Sequence, residues 1–182
     1  IHGGGLDLRF PHHENEQAQS KAAGLGFVRY WLHSAWVVQG GEKMSKSLGN
    51  FLSADEVLAR HPAAVVRLAL VAAHYRSMVE FSETSVGEAT ANWERFTGFV
   101  DRAIEAVGED LAGGSTAELA SVELPEAFVS AMDDDLGTPQ ALAAVHEEVR
   151  LGNIALTEDN REAVAGHLRA VRAMLSVLGL DP

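Results

Sequence analysis

The chain contains no cysteine. It therefore has no disulfide framework, and no metal site built from its own thiolates. Its apolar runs are short, and none approaches the roughly 18 residues that a membrane-spanning helix requires. Positive charge is scarce as well: 14 Lys and Arg stand against 26 Asp and Glu, for a formal charge of −12. Such a balance works against non-specific coating of nucleic acid. The remainder, 47% hydrophobic and 22% charged over 182 residues, is ordinary for a globular chain and sufficient for one large or two small domains.

The acidity is unevenly spread. Residues 1–52 carry five basic side chains (Arg9, Lys21, Arg29, Lys43, Lys46) against four acidic ones (Asp7, Glu14, Glu16, Glu42), so the negative charge belongs to the later part. Within this neutral stretch lies GEKMSKSLGN, residues 41–50. Lys43 and Lys46 are three apart, Ser45 and Ser47 interleave with them, and Gly41 and Gly49 bound the segment. A loop of this kind can bend around a phosphate chain and offer it ammonium, hydroxyl and backbone N–H donors together. It can equally be a solvated hairpin tip.

The order of elements reads from turn and capping signals. FPHHENEQAQSKAAGLG (residues 10–26) predicts a short helix opened by Pro11, with Glu14 and Glu16 at its positive end and Gly24 or Gly26 at its stop. A strand through Ala35–Val38 and a Gly-Gly turn lead into the lysine loop. Ser53 and Glu56 form a capping box, Pro62 starts a broad apolar helix, and residues 79–82 are a short extended link. A long amphipathic helix follows from about Glu83 to Val107, with Val86, Trp93, Phe96, Val100, Ile104 and Val107 on its inner face. Residues 108–124 read as a linker. Three further helices are expected at about 125–133, 138–155 and 158–178, the last stopped by Gly179. The fold class is thus mostly α, with an antiparallel helical bundle in the second half.

Two more stretches carry chemistry. In HHENE, His12 and Glu16 are four apart and share a helical face, where they can ligate one metal ion or simply bond each other. His13 and Glu14 open an H-E-x-x-H metalloprotease pattern, but position 17 is Gln and the pattern fails. In HGGGLDLRF, Gly3, Gly4 and Gly5 can let a flat ligand lie on bare backbone while Asp7 accepts from a ribose diol. The same residues also suit a tight turn capped by Asp7.

Taken together, GGGLDLRFPHHENE followed at residue 43 by KMSKSLGN resembles the class I aminoacyl-tRNA synthetases, and among them the cysteinyl-tRNA synthetases. The resemblance continues through RLALVAAHYRSMVEFS and SAMDDDLGTPQAL. It implies a C-terminal remnant of an α/β Rossmann-type catalytic domain over residues 1–52, a stem-contact region over 53–90 and a helical tRNA-binding domain over 91–182. It further implies that Lys46, supported by Lys43, contacts the ATP phosphates, with Ser45 and Ser47 in the same loop. Gly3, Gly4, Gly5 and Asp7 would line the adenosine pocket. His12 and Glu16 would be two of four Zn2+ ligands, the other two being cysteines that this chain does not contain. The implied substrates are L-cysteine, ATP with Mg2+, and cysteine tRNA. The implied setting is a monomeric cytoplasmic enzyme with no membrane partner.

The family's HIGH motif does not occur, and Ile1 opens directly on a glycine triplet that needs a strand to aim it. The chain is therefore expected to be a fragment cut inside a domain, inactive alone. Two rival functions share parts of this pattern. One is the mycothiol-pathway cysteine ligase of the same superfamily, whose resemblance weakens after KMSKS. The other is a non-catalytic helical module that binds tRNA or protein.

Overall fold

The computed structural model describes residues 1–43, 53–108 and 114–182. The chain divides into two compact units, residues 1–53 with 75–82, and residues 54–74 with 83–182.

The first unit is built on short strands. β1 (His2–Gly5) pairs in parallel with β2 (Trp31–Ser34), His2 opposite Trp31 and Gly4 opposite His33. Side chains two residues apart on a strand share a face, so this register brings His2, Trp31 and His33 together. Between the strands run a 3-10 turn (Leu6–Leu8), a wide turn (Arg9–His13) and α1 (Glu14–Ala22). Helical backbone opens at Pro11, as predicted, in the wide turn that runs on into α1 at Glu14. Phe10 is extended, at φ −137° and ψ 134°, as the residue preceding a proline prefers, and it marks the break just before the helical run. Gly24, at φ +75°, closes the helix as expected, with Leu25 N–H donating to the Ser20 carbonyl at 3.0 Å.

A second sheet has the order β4 (Glu42–Lys43), β3 (Val37–Gln39), β5 (Val79–Glu80). The β3–β4 hairpin turns on Gly40 and Gly41, both at positive φ (62° and 79°), the geometry of a two-residue hairpin loop. The expected link at residues 79–82 supplies β5, parallel to β3.

The second unit is helical: α2 (Ala54–Leu58), α3 (Ala63–Val71), α4 (Glu83–Val107), α5 (Thr116–Leu119), α6 (Glu126–Asp133), α7 (Thr138–Thr157) and α8 (Arg161–Val177). The apolar spacing of α4 buries Val86, Phe96, Val100 and Val107, together with Phe99 and Ala103, while Trp93 and Ile104 stay half-buried. With Phe128, Leu168, Met174, Leu175 and Leu180 they form the core. The linker expected over 108–124 contains the helical turn α5, whose Leu119 is buried. Glu118 caps this turn by accepting from Ser115 N–H at 2.6 Å. Asn160 caps α8 by accepting from Ala163 N–H at 3.2 Å.

Candidate functional site

Gly4 explains how the first unit gathers its polar groups. A β-carbon on Gly4 would lie 2.9 Å from His13 Cε1 and 3.0 Å from Leu8 Cδ1, so only glycine lets the imidazole settle on the backbone. His13 is buried there at 4% exposure. A β-carbon on Gly5 would meet Asp7 Oδ1 at 2.5 Å. One side of the backbone at Gly4 thus receives His13, and at Gly5 it receives Asp7, the acidic residue expected beside the glycines. Asp7 accepts from the Trp36 indole at 3.4 Å.

Around His13 the rings close into a cluster. His13 Nδ1 and His33 Nε2 share a hydrogen bond at 3.0 Å. His2 meets His13 edge-on at 4.6 Å between centroids, and Trp31 stacks on His33 at 5.7 Å. His2 Nε2 faces Glu16 Oε2 at 2.8 Å. Burial, followed by the positive fields of His13, Arg9 and His2, holds the His33 imidazole below its ordinary value of 6.5. The adjoining cavity, about 410 Å³, is lined by Arg9, His13, Glu14, Gln17, Trp31 and His33.

One atom each from His2, His13 and Glu16 lies within 4.8 Å of the others. Two imidazole nitrogens and a carboxylate oxygen are donors zinc accepts, but they make three corners of a tetrahedral site and include no sulfur. The structure therefore pairs Glu16 with His2 and His13, whereas His12, which the sequence places on Glu16's face, is exposed and outside this group. His2, Trp31 and His33 were not legible as site residues. Their contacts depend on a parallel register between segments nearly thirty residues apart, and alternate positions 2, 4 and 31, 33 are the only sequence signal.

The lysine loop leaves the second sheet. Its base is fixed by Glu80, whose carboxylate accepts from Gly40 N–H at 2.7 Å and Gly41 N–H at 3.3 Å. Lys43 sits on β4 opposite Val38. Ser45, Lys46 and Ser47 lie outside the described residues, as does Gly49.

Comparison with known proteins places these features. Residues 1–91 match the model of the tRNA synthetases class I (C) catalytic domain, and residues 127–180 match a DALR domain. Over all 182 residues the chain is 62% identical to the cysteine–tRNA ligase of Beutenbergia cavernae and 56% identical to that of Streptomyces avermitilis. The corresponding enzyme of Micrococcus luteus is 53% identical. The chain covers 38%, 38% and 37% of these relatives respectively. A solved ternary complex, the Agrobacterium radiobacter K84 LeuRS with tRNA and LeuAMS, superposes on 98% of the chain with a TM-score of 0.67 at 19% identity, over 25% of its own length. That similarity concerns the fold.

Proposed function

Because the chain belongs to the class I (C) tRNA synthetases, we propose that it forms part of a cysteine–tRNA ligase. The observation that carries this reading is the match over all 182 residues of the chain, at 62% identity, to 38% of a protein of that name. A mycothiol-pathway ligase is disfavoured because similarity persists through α8, far beyond KMSKS. A purely helical binding module is disfavoured because residues 1–91 match a catalytic domain.

In this reading a cysteine carboxylate oxygen attacks the α-phosphorus of ATP, brought with Mg2+. The bond to the bridging oxygen breaks, and pyrophosphate leaves with its electrons. Lys46, supported by Lys43, Ser45 and Ser47, meets the charge that grows on the leaving group, and so stabilises the transition state more than bound ATP. Gly3, Gly4, Gly5 and Asp7 form the adenosine side of the site. A 3′-terminal hydroxyl of cysteine tRNA then attacks the activated carbonyl, and AMP departs. No protein nucleophile is needed. The β1–β2 pair is the remnant of the Rossmann-type sheet. Residues 1–52 are catalytic, 53–90 contact the acceptor stem, and 91–182 form the antiparallel bundle that binds tRNA. The enzyme works as a monomer in the cytoplasm; among the described residues no helix is long and apolar enough to cross a membrane.

Glu16 serves as a Zn2+ ligand, with its imidazole partner His12 by resemblance or the His2–His13 pair by geometry. When bound, zinc supplies affinity for the substrate thiolate. Zinc content of the complete protein decides the partner: His12→Ala lowers it if His12 is the ligand, whereas His13→Ala lowers it if the cluster is. Full zinc occupancy in Glu16→Ala removes both assignments.

The ligase reading is tested by ATP–pyrophosphate exchange in the complete protein. Exchange should require cysteine and be far weaker with serine. Exchange driven equally by both amino acids would reject it.

A further inference from the structure

On a chain of formal charge −12, the helical unit gathers basic side chains along one groove. A cavity of about 390 Å³ is lined by Arg95 of α4 and by His146, Val149, Arg150 and Asn153 of α7. Arg102 lies two helical turns beyond Arg95, on the same face and about 10 Å along the axis at ~1.5 Å per residue. Its Nη2 donates to Asn153 Oδ1 at 2.9 Å, so its guanidinium reaches the wall that Asn153 shares with the cavity. Gly98, between the two arginines, has no side chain to fill the face, and a β-carbon there would come within 3.3 Å of Arg102 Nη1. His146 stands on the floor against Phe96, 4.8 Å between ring centres.

The charges along this groove are only partly compensated. Glu147 grips Arg150 with both oxygens, at 2.6 and 2.8 Å, and nearly neutralises it. Glu148 is engaged with His167 at 2.6 Å. The partner of Arg102 at Asn153 is a neutral amide.

We propose that this groove binds successive phosphates of the tRNA backbone. The inference rests on the ligase reading and deepens it by assigning a face. Guanidinium forks match phosphate oxygens in shape and charge. Two of them about 10 Å apart on one helix are too widely spaced to share a single phosphate ion and suit a chain of phosphates. Such contacts fix the register of the RNA without reading its bases. The surrounding acidity turns the RNA away from the rest of the unit and concentrates attraction at this patch.

The test is fluorescence anisotropy of a labelled cysteine-tRNA transcript with the complete protein, titrated at several salt concentrations. Arg95→Glu and Arg102→Glu should each weaken binding about tenfold or more. Arg95→Gln and Arg102→Gln should each lower the slope of log affinity against log salt by about one. Glu147→Gln releases Arg150 and should tighten binding severalfold, a gain that misfolding cannot produce. Binding within twofold of wild type in both charge reversals, or weaker binding in Glu147→Gln, overturns the proposal. Cysteine-dependent pyrophosphate exchange by the wild type needs no tRNA and tests the ligase reading separately. Exchange present alongside undiminished tRNA binding in the reversals removes the groove alone, whereas absent exchange removes the ligase reading.

Discussion

Gly4 shows how one missing side chain organises a site. An added methyl would be driven into the buried His13 ring at 2.9 Å and into Leu8 at 3.0 Å. Gly4→Ala should therefore destabilise the first unit by about 1–3 kcal/mol, more than the ~0.4–1 kcal/mol gained by restricting the unfolded chain. Urea unfolding followed by Trp31 fluorescence measures it. His33 gives a pH signature at the same scale. Its imidazole titrates below 6.5 in the folded state, first through burial and then through neighbouring positive charge. The folded state binds fewer protons than the unfolded one there. Its stabilising contribution is complete above the unfolded value and is lost as pH falls through the lowered folded value. Arg9→Gln should move the His33 titration upward. NMR titration of the ring protons reads both, and an unchanged value in Arg9→Gln would reject the electrostatic share.

Among the elements, two helical glycines with opposite surroundings separate packing from propensity. On α7, a β-carbon at Gly152 would lie 2.3–2.4 Å from ring atoms of the fully buried Phe99. On α8, a β-carbon at Gly166 would meet nothing within 4 Å. Alanine is favoured over glycine by about 1 kcal/mol in a helix. Gly166→Ala should therefore stabilise by up to about 1 kcal/mol, while Gly152→Ala should lose about 1–3 kcal/mol because the core cannot yield. Thermal unfolding of the pair checks both signs. Helices α4 and α6–α8 were legible in the sequence because their signals are local: amphipathic spacing, Pro125 and Pro139 at starts, and Gly108 and Gly179 at stops. Pro11 opens the helical run as its position signals, because the extended Phe10 before it cannot join a helix. α5 was hidden because glycine- and acid-rich flanks mask the single buried Leu119. The His2–His13–Glu16 group was illegible for a different reason, since it depends on how the turns between β1 and α1 fold back on the strand, and the approach of Trp31 and His33 depends on parallel strand register; no local pattern encodes either.

Across the whole molecule, the uneven charge and the two units point to a division of labour. In the proposed reading, the lysines near the end of the nearly neutral first unit act on ATP, and the acidic helical unit confines its attraction for RNA to one groove. The chemistry rests on the first of these. Losing one charge-assisted contact to the leaving pyrophosphate is worth roughly a hundredfold in rate. The most direct measurement is single-turnover adenylate formation, alongside ATP affinity, in the complete protein with and without Lys46→Ala. A rate lowered about a hundredfold with ATP affinity little changed is expected if Lys46 acts on the charge that develops as pyrophosphate leaves. Equal losses in rate and affinity would make Lys46 a ground-state anchor only, and an unaltered rate would contradict its role in the site.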